Sequence, residues 1–474
     1  MRAIKIIVPA TLLFLTASCQ KDTAGEVGVD LPQIKERGVL RAIVTNSSTS
    51  YFIYRGQPMG FEYELLERLA KHLNLQVELT VARNLDSLNA MLLQGKGDLV
   101  AHGMTITKKR KERVAFTEPY WTTTQVLVQR KPDNWRQMTL DNIEKSLIRN
   151  PLDLIGKKVY VRKKSSYYDR LQNLSEEMGG DIDIQLVSGD LTTEELIKMV
   201  ARGEIDYTVA DQDLAYINKT YDSDLDVKTV LSSPQRIAWT VRKSSPELLD
   251  AVNEWITDLK KNTDYYVIYN KYFRNRKAFR RRIHSEFFSK TGNALSPYDS
   301  LIQVHADDLG WDWRFLASMI YQESQFRPNA KSWAGAEGLM QILPTTAEHY
   351  GVTNLNDPDS SLDAGTAYLE YLQEYWEMIP DSLQRMKFVL ASYNVGENHV
   401  ADARRLAEKY GGDADRWDDG VDEYILKESD PEYYNDPVVI YGYCRGEEPY
   451  EYVREIFERY EHYKNIISLQ PTEI

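Results

Sequence analysis

Residues 60–81 read GFEYELLERLAKHLNLQVELTV, and the change of period inside this stretch decides how the first half of the chain folds. Over 62–73 the apolar side chains recur at three- and four-residue intervals, which predicts an amphipathic helix. Over 77–81 Val77, Leu79 and Val81 alternate with polar residues, which predicts a strand. Working outward, 39–44 reads as a strand before this unit, and 85–94 as a helix closed by Gly95 after it. A second cycle begins near Ile155: a strand over 158–162, a helix starting at Ser165 and Ser166, a strand over 182–187 and a helix over 193–202. Strands interleaved with helices predict parallel sheets, and two such cycles predict two α/β lobes with a ligand cleft between them.

The 474 residues exceed what one hydrophobic core serves, so further domains are expected. With 42% hydrophobic and 27% charged residues the composition is that of a globular protein. A formal net charge of -13 argues against general affinity for nucleic acid, which its field repels. At the start, Arg2 and Lys5 precede an apolar run over 6–15, too short for a mature transmembrane helix and suited to a secretory signal. Thr16, Ala17 and Ser18 before Cys19 resemble a bacterial lipobox, with Thr16 where Leu is usual. That resemblance implies cleavage before Cys19, acylation there, and a lipid anchor holding the protein to a membrane of the cell envelope, facing the periplasm, with the outer membrane expected. Residues 1–19 are thus read as signal peptide and 20–36 as tether. Cys444 reads as a lone thiol, with no His or second Cys at ligand spacing.

The first region also carries ordered motifs: Gly60-Phe61-Glu62-Tyr63-Glu64-Leu65, Gly95-Lys96-Gly97-Asp98-Leu99, Thr105-Ile106-Thr107-Lys108-Lys109-Arg110 and Phe116-Thr117-Glu118-Pro119-Tyr120. They resemble the periplasmic solute-binding family that captures amino acids. The resemblance implies that Arg110 grips a ligand carboxylate, that Asp211 accepts from its ammonium, and that Thr105 and Ser166 add hydrogen bonds. Taken alone, Arg110 sits in a basic run (Lys108, Lys109, Lys111, Arg113) that reads as solvated surface, and Asp213 rivals Asp211. Gly103 stands where the family often has a hydroxyl side chain, which leaves the ligand open between an amino acid and a cell-wall muropeptide. The expected domain covers 37–270, with one lobe over 37–127 and 222–270 and the other over 128–221. Residues 271–293 are basic and aromatic in an acidic protein. They read as an amphipathic connector packing on one domain, with contact to an anionic surface as the rival reading.

After Pro297 the strand signal stops and the periodicity is helical, which defines a mainly α domain over 294–474. Trp313, Leu316, Ile320 and Glu323 fall on one helix face, so Glu323 projects from a stripe of core side chains. Burial there raises a carboxyl pKa, as a general acid requires. A paired structural Glu is the bland reading, and the neighbours tip the balance. Tyr321-Gln322-Glu323-Ser324, Gly335-Ala336-Glu337-Gly338-Leu339-Met340-Gln341 and Ala391-Ser392-Tyr393-Asn394-Val395-Gly396 resemble the soluble-lytic-transglycosylase family, which has a lysozyme-like fold. Glu448 and Tyr452-Val453 resemble its closing element.

Together with the first region and the lipobox, the pattern resembles the membrane-bound lytic murein transglycosylase F family. The resemblance implies that Glu323 cleaves the glycan strands of peptidoglycan between N-acetylmuramic acid and N-acetylglucosamine, leaving 1,6-anhydromuramic ends. It also implies that Ser324 and Tyr452 orient the carboxyl, and that Gln341, Tyr393 and Asn394 hydrogen-bond the sugar. Met340 is then an apolar wall, Gly338 permits close approach of the glycan, and Glu448 closes the site. Two other readings stand beside this one: a tethered binding lipoprotein without catalysis, and a muramidase that adds water. No cofactor is implied, and the seven His show no metal-ligand spacing. The acidic, Tyr-rich segment 413–436 is read either as an insertion shaping the glycan groove or as a solvated loop.

Overall fold

The structure is a computed structural model that describes residues 28–220, 222–290 and 292–467. Cys19, the signal segment and residues 20–27 of the tether lie outside the described residues.

The first lobe is built on a sheet ordered Gln76–Ala82, Val39–Thr45, Leu99–Thr105, Gln235–Val241, Ala115–Phe116, with Trp121–Thr123 also paired to Gln235–Val241. Val39–Thr45 runs parallel to both of its neighbours, as the alternation of strand and helix predicts. The helix Phe61–Leu73 covers this sheet with Phe61, Leu65, Leu66, Leu69 and Ala70. The expected helix over 85–94 is split into a 3-10 turn, Leu85–Ser87, and a helix, Leu88–Leu93. The reason is local: the Asn84 side chain accepts from the Asp86 amide and tightens the first turn.

The second lobe has the order Asp183–Val187, Lys158–Arg162, Tyr207–Asp211, Gln125–Arg130, Leu225–Asp226. Its helices start where the sequence places them. The Ser165 hydroxyl accepts from Tyr168 ahead of Ser166–Met178, and Thr192 with Glu195 forms a capping box ahead of Thr193–Arg202. Lobe membership differs from the expected boundaries. Strand Gln125–Arg130 and strand Leu225–Asp226 belong wholly to the second sheet, so the chain crosses between Thr123 and Gln125 and returns before Gln235. Antiparallel pairing of Gln125–Arg130 with Tyr207–Asp211 sets this, a long-range register that no local pattern announces.

The basic connector packs on the first lobe. Tyr272 and Phe288 are in its core, and the Arg282 guanidinium lies over the Phe52, Tyr272 and Phe279 rings. The remaining residues form helices around one apolar core, including Asp299–Leu309, Trp313–Ser324, Pro358–Tyr375, Ser382–Val395, Glu397–Tyr410 and Glu447–Ile466. No described helix is long and apolar enough to cross a membrane.

The two halves meet at a hairpin, Phe52–Tyr54 with Gln57–Met59. Its tip, Gly56, has φ +75 and lies so close to the helical domain that a Cβ there meets Phe326 at 2.6 Å, Tyr321 at 2.7 Å and the Tyr463 hydroxyl at 2.8 Å. Tyr463 donates to the Gly56 carbonyl at 2.7 Å, and one residue earlier His462 Nδ1 is 2.7 Å from the Tyr51 hydroxyl. The C-terminal helix is therefore shared between both halves.

Candidate functional site

Glu323 occupies the last turn of Trp313–Ser324, a helix whose residues from Trp313 to Ile320 are all buried. The helix ends in left-handed residues Gln325 and Phe326, which turn the chain away just past Glu323, itself largely buried. Burial pushes its pKa up to about 7, opposed by the Tyr452 hydroxyl, which donates to Oε1 from the C-terminal helix. Tyr393 is the next polar neighbour, close enough for Glu323 to raise its own pKa further. The site thus joins the Glu323 helix, Ser382–Val395 and Glu447–Ile466.

Several residues expected around the carboxyl do something else. Ser324 does not touch it: its hydroxyl donates back to the Ile320 carbonyl at 3.2 Å, the usual habit of a Ser inside a helix. Gly338, at φ +84, accommodates the protein's own chain rather than a glycan, since a Cβ there meets the Leu355 carbonyl at 2.1 Å. Met340 is no sugar-facing wall. It is fully buried and packs on Gly365, while its carbonyl accepts from the Tyr393 hydroxyl at 2.8 Å. The Gln341 side-chain Nε2 donates to the Ala330 and Gly338 carbonyls at 3.0 and 2.9 Å, locking the 330–341 loop. Glu448 is exposed and pairs with Arg445 at 3.0 Å, one turn from Tyr452 and outside the site. Asn394 is exposed beside Tyr393. The motif is therefore largely the frame that places Glu323, Tyr393 and Tyr452.

Between the lobes lies a cavity of about 150 Å³ whose lining includes Thr105, Arg110, Arg162, Ser166, Glu194 and Asp211. Within the basic run, Lys108, Lys109, Lys111 and Arg113 are exposed, and Arg110 alone turns inward. Its guanidinium donates to the Thr105 carbonyl at 2.9 Å and the Lys164 carbonyl at 3.3 Å, which aims it across the cleft. Thr105 Oγ1 and Ser166 Oγ are 3.1 Å apart, and the Gln125 amide donates to Ser166 at 3.2 Å. The rivalry between the two acids is resolved by their partners. Asp213 is held by Thr123 and Tyr269, whereas Asp211 keeps a buried Oδ1 with no hydrogen-bond partner. Burial lifts the Asp211 carboxyl to about 7 with help from Asp213, against the Tyr167 hydroxyl, Arg162 and Arg110.

Sequence reasoning missed Arg162, Glu194 and Glu62. Glu194 reaches across the cleft and accepts from the Ser48 hydroxyl. Glu62 fills the space beside Gly103 and is held at 2.7 Å by both Tyr120 and Trp239, which explains how a glycine is tolerated there. Its signal was present, because an acid sat inside the quoted Gly60-Phe61-Glu62 motif on the buried helix face. One further grouping corrects the reading of Cys444 as a thiol without a His nearby: the fold gathers it with His399 and Glu428.

Fold and sites together define an amino-acid-receptor-like module joined to a lysozyme-like catalytic module. Bacterial extracellular solute-binding proteins, family 3, match over residues 40–275, and the transglycosylase SLT domain matches over residues 300–415. The chain is 37% identical over 430 residues to the membrane-bound lytic murein transglycosylase F of Desulfosudis oleivorans, covering 90% of each chain. It is 32% identical over 468 residues to that of Aliivibrio fischeri, covering 98% of this chain and 90% of the relative. Among solved structures, an ancestral amino acid-binding protein, a precursor of cyclohexadienyl dehydratase, is 30% identical with a TM-score of 0.42, covering 51% of this chain and 98% of its own. The chain belongs to the membrane-bound lytic murein transglycosylase F family. It is accordingly a peptidoglycan lytic transglycosylase.

Proposed function

We propose that Glu323 is the acid and then the base of a cleavage that leaves 1,6-anhydromuramic ends. The observation that carries this reading is a largely buried carboxyl held near pKa 7 by that burial, with the Tyr452 hydroxyl on one oxygen and the other oxygen left for substrate. In the protonated form it donates to the glycosidic oxygen between N-acetylmuramic acid and N-acetylglucosamine, and the C–O bond breaks as positive charge grows at the anomeric carbon. The ionised Glu323 then takes the proton of the muramic C6 hydroxyl as that oxygen bonds to the anomeric carbon. No water is consumed, and the carboxyl ends protonated as it began. Tyr452 positions the carboxyl, and Tyr393 and Asn394 line the approach of the sugar. The test is mass spectrometry of soluble muropeptides from purified peptidoglycan, with Glu323→Gln beside the wild type. Anhydro ends that vanish in the variant support the reading, and products one water heavier replace it with a muramidase.

The interlobe cleft, in the same reading, binds an amino acid or cell-wall peptide by its carboxylate at Arg110 and its ammonium at Asp211, and this binding modulates cleavage. Two contacts support it. Ser47, Thr49 and Ser50 line the cleft, and the hairpin that follows them docks on Tyr321 and Phe326, which flank Glu323 in sequence. Acylation at Cys19 tethers the whole to a membrane, expected to be the outer one. Globomycin treatment, which blocks lipoprotein processing, leaves the precursor uncleaved if this assignment is right.

A further inference from the structure

Helix Glu397–Tyr410 brings His399 toward the segment that leads into the C-terminal helix. Glu428 lies directly after helix Asp422–Lys427, and the Cys444 amide donates to its carbonyl at 3.2 Å. Two residues on, Gly446 lies so close to the Ile425 carbonyl that a Cβ falls 1.7 Å from it, which clamps the two segments together. As a result one ligand atom from each of His399, Glu428 and Cys444 lies within 4.8 Å of the others.

The pocket is unsatisfied as it stands. Glu428 is fully buried, and neither of its carboxylate oxygens has a hydrogen-bond partner. His399 Nδ1 is likewise buried without one, 3.7 Å from Glu428 Oε2, beyond hydrogen-bond length. The other acid beside them has no such deficit, because Asp402 accepts from the Ile440 and Tyr441 amides at 2.8 and 2.7 Å and from Arg405. Arg405 is thereby committed, its Nε donating to the Val438 carbonyl at 2.9 Å. A buried carboxylate with no hydrogen bond, whose nearest counter-charge is the His399 imidazole at ion-pair distance, is incompletely satisfied, and such groups are normally hydrogen-bonded or bound to metal.

We propose that His399, Glu428 and Cys444 form a zinc-binding site. Imidazole nitrogen, carboxylate oxygen and thiolate sulfur are the three donor types zinc accepts, and the soft thiolate disfavours magnesium and calcium. Zinc–ligand distances of about 2.0–2.3 Å require the three donors, now within 4.8 Å of one another, to draw in by about 1 Å. The His399 side chain is 25% exposed, so a water completes the tetrahedron from that side. The ion fastens the segment before Gly446 to helix Glu397–Tyr410, and so anchors the start of the helix that carries Tyr452.

The test uses tagless protein beginning at residue 20, in which Cys444 is the sole cysteine. After chelator treatment and dialysis it is titrated with Co2+, and the thiolate-to-metal charge-transfer absorption is followed. The expected result is saturation at one equivalent, displacement by one equivalent of Zn2+, and loss of the band in Cys444→Ser. Glu428→Gln weakens Zn2+ binding by on the order of 100-fold. Absence of the band in folded wild-type protein overturns the proposal and leaves a buried His399–Glu428 ion pair, and that measurement decides even if a variant fails to fold. Zinc binding equal in wild type and Glu428→Gln overturns it as well.

Discussion

Asp211 in the cleft between the lobes and Glu323 in the helical domain are two buried carboxyls of nearly the same standing. Burial pushes each to about 7, and each accepts from one tyrosine hydroxyl, Tyr167 for Asp211 and Tyr452 for Glu323. Their surroundings differ in charge. Arg162 and Arg110 draw Asp211 toward its ionised form, while no cation offsets the burial of Glu323. A carboxyl poised between two guanidiniums and a neighbouring acid suits an incoming ammonium, whose charge completes the balance. One with only a hydroxyl beside it suits keeping and delivering a proton. Both are carboxyls raised by burial, so the difference in their proposed roles comes from the neighbours.

The largest effect that tests this contrast is on Glu323. Glu323→Gln keeps the shape and removes the proton, and release of soluble muropeptides should fall by on the order of 10²–10⁴-fold. A variant retaining most of the wild-type rate breaks the comparison. In the cleft, Arg110→Lys replaces a planar fork by a point charge. On the proposed carboxylate grip, calorimetry with free amino acids should show affinity lowered by about 1.5–3 kcal/mol relative to the wild type. At the junction of the two regions, Gly56→Ala places a methyl against Phe326, Tyr321 and Tyr463 at a positive φ, and thermal melting should show a loss of about 1–3 kcal/mol.

A smaller effect is on stability against pH. The Glu323 carboxyl is raised from 4.5 to about 7 in the fold, so between those values the unfolded chain releases a proton that the native one holds. Its contribution to stability therefore falls as pH rises through that window. Glu323→Gln removes the loss, and its melting temperature relative to wild type should rise from pH 5 to pH 8, by the equivalent of about 1–2 kcal/mol after screening on the open side. Smallest is Tyr452→Phe. The hydroxyl favours the ionised carboxyl, so its loss should move the alkaline limb of the pH–rate profile upward by less than about one pH unit.

The elements were largely legible because their signals are local. Strand Lys158–Arg162 and helix Thr193–Arg202 fall where period and caps place them. The Trp313–Glu323 face carried the buried acid within a single helix. What failed was the detailed job of each motif side chain, which depends on which backbone and core groups, near or far in the chain, it finds in the fold. Ser324, Gly338, Met340 and Gln341 stand in the right motif, yet their hydrogen bonds and packing go to the protein's own backbone and core. Arg162 and Glu194 gave no sign, since nothing near them in sequence distinguishes a cleft-facing charge from a solvated one.

The sequence by itself therefore determined the order of the modules, the helix and strand periods and the acid on an apolar face, because these follow from spacing within a few turns. Only the tertiary structure decided which of Asp211 and Asp213 keeps an oxygen without a partner, that Tyr452 meets Glu323 across 129 residues, and that His399, Glu428 and Cys444 converge. Those outcomes depend on desolvation and on charges brought together by packing, quantities that have no value until the chain has closed on itself.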